Sequence, residues 1–285
     1  MKNLSVKRFC LIFKFLCVPF LIKAQGNVFS YGDSIYRSSN YSLAAVEYER
    51  VIFEYQSPSI QAEAAIKRAN CLKMLRRYEA AASTLDAINI ANLSDSIRYE
   101  ILFQSILDSY LAHEPNNSYS KLESLCHFYP ISAQKPDILL MKILSLNELQ
   151  RWNEADTVYK KLKSIYNVSN SSFSNPYLRI PKLKDPEIAE KLSAFLPFTG
   201  AGFFYAGDIK EGILNVALQI GLISFGGYSI LMKRYITCIF IGIGGYAAFY
   251  KGGVRRVKRL VVKYNEKKTI AFNTAVRDQL LQIIK

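Results

Sequence analysis

Hydrophobic and polar positions follow a helical rhythm over most of the chain, and after residue 195 that rhythm gives way to two runs without any charge. From Gly212 to Met232, 21 residues pass with no Asp, Glu, Lys or Arg. At about 1.5 Å per residue such a helix is about 32 Å long, enough for a hydrocarbon core of about 30 Å. A second uncharged run of 16 residues, Tyr235 to Tyr250, comes after Lys233 and Arg234. It reaches span length if Lys233, Arg234 and Lys251 snorkel from its ends. Tyr228, Tyr235, Tyr246 and Tyr250 sit near the ends of these runs, where a ring with a polar tip suits the headgroup layer. The pattern predicts membrane spans at about 212–232 and 235–250, since no other segment is apolar enough to enclose such a pair in a soluble core.

At the other end, Lys2, Lys7 and Arg8 precede an apolar run from Phe9 to Ile22 and then Lys-Ala-Gln. This reads as a signal peptide over residues 1–24, with cleavage after Ala24. Lys14 inside the run and the large Ile22 also fit an uncleaved anchor, and both place residues 27–167 outside the cytoplasm. No lipobox precedes Cys10 or Cys17.

Residues 27–167 hold almost no Gly or Pro inside long helix-forming runs, and aromatic and small residues recur at the length of a helical hairpin. Tyr41, Tyr78, Tyr119 and Trp152 are separated by 37, 41 and 33 residues. Ala44, Ala81, Leu122 and Ala155 stand three positions after them. In such a pair the ring plugs the gap at the turn and the small residue lets the second helix approach the first. Helix pairs are predicted near 28–56, 59–91, 95–129 and 136–167. Each pair needs its neighbours to bury its apolar face. The segments Asn40-Tyr41-Ser-Leu-Ala44, Arg77-Tyr78-Glu-Ala-Ala81 and Arg151-Trp152-Asn-Glu-Ala155 resemble the tetratricopeptide repeat family, in which Gly or Asn, an aromatic and then Ala open the second helix. The resemblance covers about half the chain; the third unit departs from it.

A polar, turn-rich stretch and Pro176, Pro181 and Pro186 mark residues 168–187 as a linker. A membrane module then runs over 188–250, and residues 186–196 can form a short amphipathic helix ahead of the membrane. Its most patterned segment is Pro197-Phe-Thr-Gly200-Ala-Gly202-Phe-Phe-Tyr205-Ala-Gly207-Asp208, with Lys210 and Gly212 just beyond. This resembles the Pro-Gly-x-Gly-x-x-Tyr-x-Gly entrance of small bacterial two-span membrane modules. In Bacteroidetes-like proteins such a module often comes after tetratricopeptide repeats and ends in a Tyr-Asn-rich helix, here Lys263-Tyr264-Asn265-Glu266. Here Phe198 and Thr199 separate Pro197 from Gly200, and Phe203 stands where Gln is common. The expected structure is a re-entrant turn seating the hairpin, with Tyr205, Asp208 and Lys210 at the headgroups. Two spans with a re-entrant segment are favoured over three, although the positive-inside preference points the other way.

The net charge of +14 is uneven. Eight Lys or Arg stand between Lys251 and Lys268 against the single Glu266, whereas residues 41–63 carry four Glu and one Arg. Residues 251–285 read as a basic amphipathic tail. Lys251, Arg255, Arg256, Lys258, Arg259 and Lys263 form one strip, and Val254, Val257, Leu260 and Val261 lie opposite. That is the layout of a helix on anionic lipid rather than of a nucleic-acid-binding face.

Candidate chemistry is sparse. His113 and His127 are the only histidines and stand in no metal-ligand spacing. No Walker loop, nucleophile elbow or dinucleotide fingerprint occurs, and Gly200-x-Gly202 and Gly242-x-Gly244-Gly245 are packing positions. Cys71 and Cys126 could be bridged in an oxidising compartment or remain buried thiols, and Cys238 is left over. No catalytic pair, cofactor or metal site is expected.

The expected fold is all-α: a signal peptide, a tetratricopeptide-like helical-hairpin solenoid, and a C-terminal transmembrane helical hairpin with a basic amphipathic tail. The expected function is a non-enzymatic, membrane-anchored protein–protein interaction scaffold. Its exported groove would bind a peptide or protein partner, with Tyr36, Tyr48, Arg68, Lys73 and Arg76 as candidate groove residues. The expected location is a bacterial inner membrane with the repeats in the periplasm. The alternative is an accessory subunit of membrane export or membrane-protein insertion in which the membrane module is itself active. No Asp, Glu, Lys or Arg lies inside either uncharged run, which speaks against ion-coupled transport.

Overall fold

The computed structural model describes residues 28–166 and 174–284, and among them every regular element is helical. The signal-peptide expectation at 1–24 and the first residues of the expected linker lie outside the described residues. The chain divides into two compact units, 1–130 and 131–285.

The first unit holds α1 (Ser30–Arg37), α2 (Tyr41–Glu54), α3 (Pro58–Met74), α4 (Tyr78–Asp86), α5 (Asp95–Leu111) and α6 (Pro115–Phe128). Proline opens α3 and α6, where its missing N–H costs nothing. The interior is built from small side chains: Ala62, Ala65, Ala69 and Ala81 pack with Leu72, Leu85, Leu93 and Ile101. A second cluster joins Phe29, Ala44, Ala45, Tyr48, Val51, Ala64 and Cys71.

The turns within the helix pairs are copies of one another. Ser39, Arg76, His113 and Gln150 all have a left-handed φ, of 62°, 57°, 61° and 58°. In each case the next amide N–H bonds back to a carbonyl five residues earlier, as in Asn40 N–H to Ile35 O at 3.3 Å and Arg151 N–H to Leu146 O at 2.9 Å. These are Schellman ends. They recur every 37 residues.

This register corrects the third unit. The residue that opens its second helix is Pro115, 37 residues from both Tyr78 and Trp152, and the small residue three positions on is Ser118. Ser118 is fully buried, as are Ala44, Ala81 and Ala155. Its hydroxyl donates to the Ile106 carbonyl at 3.0 Å. Tyr119 and Leu122 lie one turn further into α6. At this turn Pro115 and Ser118 replace the aromatic and the Ala, so the nearest aromatic in the spacing is Tyr119.

After a 3-10 turn at Ser132–Gln134 the second unit holds α7 (Pro136–Glu148) and α8 (Trp152–Ile165), so the fourth helix pair belongs with the C-terminal half of the chain rather than with the other three pairs. A 3-10 turn at Pro176–Arg179 comes next, within the expected linker. Its Tyr177 is buried, edge-on to Tyr159 and Phe272. Then come α9 (Pro186–Phe195), α10 (Ala201–Ala206), α11 (Ile209–Leu231), a helical turn Tyr235–Thr237, a π-helical stretch Cys238–Gly244 and α12 (Gly245–Ile284).

The second uncharged run is thus helical but passes through the π stretch and continues straight into the tail. The 40 residues of α12 extend about 60 Å. The connection from α11 repeats the earlier turn: Lys233 has φ 57°, and Arg234 N–H bonds to Ser229 O at 2.8 Å. Tyr235 therefore stands where Tyr41, Tyr78 and Trp152 stand. The two runs cross at Gly226 and Gly242, where a Cβ on Gly242 would lie 2.8 Å from the Gly226 Cα. Glycine on both sides lets the backbones meet.

Candidate functional site

In the first unit the candidate groove is a cavity of about 1050 Å³ along α4, closed by α2, α3 and the end of α5. Ile52, Ala80, Ile88 and Leu111 give it an apolar floor, and Arg68, Arg76 and Arg77 give it a cationic rim on which His113 also stands. Of the rim, Arg68 is fixed: its guanidinium donates to Thr84 Oγ1 at 2.7 Å and Glu49 Oε1 at 2.9 Å, and its Nε is buried without a hydrogen bond. Arg76, Arg77 and His113 are exposed and reach the cavity from two successive Schellman turns.

The sequence-chosen groove residues divide accordingly. Arg68 and Arg76 line the cavity, as does Tyr78; Tyr36, Tyr48 and Lys73 do not. Tyr48 is buried and donates its hydroxyl to Asp33 Oδ1 at 2.6 Å, and Lys67 donates to the same oxygen at 3.0 Å. Burial alone would raise the Asp33 carboxyl, but these two hydrogen bonds, together with the charges of Lys67 and Arg37, outweigh it and hold its pKa below the ordinary value. Tyr36 packs edge-on against Tyr41 at 5.3 Å. Lys73 donates to Gln104 and lies 3.8 Å from Asp108. Sequence reasoning missed Arg77 and His113, although the Arg76-Arg77 pair directly ahead of Tyr78 was the available signal.

In the second unit each member of the entrance motif has a structural task. Pro197 starts a 3-10 turn, and Gly200 and Gly207 flank α10 with left-handed φ of 65° and 95°. A side chain on Gly202 would sit 2.0 Å from Ser193 Oγ and 2.5 Å from the Ala189 carbonyl, and one on Gly212 would sit 3.0 Å from the Phe203 Cβ. Asp208 caps α11 by accepting from Glu211 N–H at 3.0 Å. The Tyr205 hydroxyl accepts from Asp185 N–H at 3.0 Å. The segment is a tight turn-helix-turn, with Tyr205 and Asp208 bonded inside the protein and Lys210 exposed.

The Tyr-Asn pair of the tail grips the chain just ahead of α9. Asn265 accepts from Lys184 N–H at 2.9 Å and donates to the Lys184 carbonyl at 2.7 Å, while the Lys184 ammonium lies 3.9 Å over the Tyr264 ring. The apolar face of α12 meets protein: Val257 and Val261 are buried with Ala189, Phe203 and Ala206. An amphipathic pattern reads alike for a lipid surface and for partner helices, which is why the sequence did not separate them. All six basic residues of the strip remain exposed. Arg256 makes a two-pronged ion pair with Glu211 at 2.9 and 2.6 Å, and Lys258 reaches Glu190 at 3.3 Å.

Cys71 and Cys126 are not joined in a disulfide, and burial pushes the Cys71 thiol up to about 11, which leaves it unreactive at neutral pH. Among the described residues no group of three or more His, Cys, Asp or Glu side chains lies close enough to hold a metal ion. The chain matches no protein-family model and no curated protein.

Proposed function

We propose that the chain is a membrane-anchored, non-enzymatic interaction scaffold of tetratricopeptide type, whose repeat groove takes an acidic peptide or protein segment. The observation that carries this reading is the cavity of about 1050 Å³ along α4, where an apolar floor meets three arginines and His113 against Glu49 and Glu79, the former engaged by Arg68. Such a site offers anchoring by burial and selection by charge.

Anchoring is supported by α11, the described helix long and apolar enough to cross a bilayer. Its large apolar side chains point outward: Leu214 is 60% exposed and Leu231 81%, and on the second run Ile236 and Phe240 are each 74% exposed. A patch of that extent is stable against lipid rather than water.

Two hydrogen bonds support one topology over the others. Asn273 of α12 bonds to the Asn147 carbonyl, and Gln279 bonds to the Ser174 carbonyl at 2.7 Å. These bonds support an arrangement in which the tail and the fourth helix pair share one side of the membrane and the chain between them crosses an even number of times. Two crossings, by the two uncharged runs, meet that condition and leave 192–207 on the surface. With an export signal at 1–24, that side is the periplasmic side of a bacterial inner membrane.

The test is labelling of intact cells with a membrane-impermeant maleimide, using single-cysteine variants at the exposed positions Ser94 and Ala271. Both positions label in the proposed arrangement. Labelling of neither would put the scaffold and its basic strip in the cytoplasm, and labelling of one alone would overturn the two-span arrangement. Groove binding is read separately, by titrating the full chain with acidic peptides and repeating with Arg77→Glu.

A further inference from the structure

Between α10, α11 and α12 lies a second cavity, of about 540 Å³, that the scaffold reading does not use. Its wall is formed by Leu214, Leu218 and Phe249, which belong to the uncharged runs, and its outer end carries Arg256 and Arg259, just past the second run. One end is greasy and the other cationic. Arg256 is already neutralised by Glu211, whereas Arg259, exposed at the rim, makes no ion pair or hydrogen bond among the described residues. The mouth therefore carries one uncompensated positive charge.

Two adjacent glycines sharpen the picture. A side chain on Gly253 would lie 2.9 Å from Asn215 Nδ2, so internal packing explains that glycine. A side chain on Gly252 would meet nothing within 4 Å, although Gly252 lines the cavity. Glycine weakens a helix interior relative to alanine, and no contact inside the protein accounts for it here.

We propose that this cavity holds one anionic phospholipid, its phosphate against Arg259 and one acyl chain running over Gly252 along Leu214, Leu218 and Phe249. The proposal rests on the membrane reading above. Its complementarity is that of an amphiphile: a singly negative phosphodiester at the water level and a hydrocarbon chain in the apolar part.

The experiment reconstitutes the full chain in phosphatidylcholine vesicles doped with a phosphatidylglycerol bearing a photoactivatable acyl chain, and maps crosslinks by mass spectrometry. Crosslinks are expected to concentrate at 214–218 and 248–252. Gly252→Leu, which fills the space, and Arg259→Gln, an exposed change that leaves the fold intact, should each lower the yield there about tenfold. Yields elsewhere on α11 should stay constant, and inorganic phosphate should not compete. Even labelling along the exposed face of α11, unchanged by either variant, would mean annular lipid only and overturn the site. Competition by inorganic phosphate would overturn a lipid in favour of a soluble anion. A wild-type chain that fails to float with the vesicles refutes the membrane reading itself, which is a distinct result from a chain that floats without the localised crosslinks.

Discussion

The indole N–H of Trp152 donates to the side-chain oxygen of Asn273 at 3.3 Å, joining residues 121 apart in the chain. The other end of the same amide donates to the Asn147 carbonyl at 3.1 Å, and the Tyr177 hydroxyl donates to Asn147 Oδ1 at 2.9 Å. Phe272 lies edge-on to Trp152 and to Tyr177, with ring centroids 5.4 and 5.7 Å away. Trp152 thus plugs the turn of its helix pair and also fastens the end of α12.

Asn273→Leu would leave the buried indole N–H without its partner and take one of the two bonds from the Asn147 carbonyl, which still accepts from Gln150 N–H at 3.0 Å, at a cost of about 1–3 kcal/mol. Trp152 is the sole tryptophan, so its fluorescence reports this junction directly. The urea midpoint should fall, and trypsin should cut sooner at the exposed Arg277. An unchanged midpoint and unchanged cleavage would show that the aromatic contacts alone hold the tail.

Gln150 occupies the left-handed position of the turn ahead of Trp152, with φ 58°. Glycine visits that region freely, whereas a β-branched side chain is crowded there. Gln150→Gly should raise the same fluorescence-detected stability by about 0.5–1 kcal/mol, less any entropy it adds to the unfolded chain. Gln150→Val should lower it by about 1–2 kcal/mol. Equal effects from the two would mean that the turn relaxes out of the left-handed conformation.

How much the sequence discloses depends on how local each signal is. Helix pairs and entrance glycines are legible because a turn needs its own residues in order: Gly200 and Gly207 for φ, Asp208 for the cap of α11. The register of the third pair is not, since Pro115 and Ser118 satisfy the same turn with different side chains. Docking of α12 is hidden for another reason. Its valines at 257 and 261 fit a helix groove as well as a membrane surface, and only the fold brings Asn273 to Trp152. The groove rim is half legible: Arg76 is marked by its turn, but His113 joins it only once two successive turns stack.

Gly202 and Gly252 make opposite predictions from one substitution. Alanine at 202 would press on the Ala189 carbonyl, a backbone atom that cannot rotate away. The expected loss is about 1–3 kcal/mol. Alanine at 252 meets open space and should add about 0.5–1 kcal/mol through helix propensity. Both are read by urea unfolding of the full chain in the same detergent. A harmless Gly202→Ala would show that α9 and α10 can separate without cost.

Asp108 lies fully buried in α5, its carboxylate oxygens accept no hydrogen bond, and its nearest cation is Lys73 at 3.8 Å. Burial raises its pKa to about 6, against the pull of Lys73 and Lys121. Lys121 is otherwise engaged, donating to Asp86 at 2.6 Å, Ser105 at 2.8 Å and Ser109 at 3.0 Å. A carboxyl that binds its proton more tightly folded than unfolded favours the fold while protonated. Its contribution is intact below the unfolded value of about 4 and is lost as the pH rises through 6. Above that pH the ionised group should cost on the order of 2–3 kcal/mol. Asp108→Asn should therefore stabilise the first unit at pH 7.5, and the gain should shrink toward zero at pH 4. Amide hydrogen exchange of peptides covering α5 and α6, corrected for the intrinsic pH dependence of exchange, reads the effect locally. A gain that persists unchanged at pH 4 would mean that the amide makes a new hydrogen bond rather than relieving a buried charge.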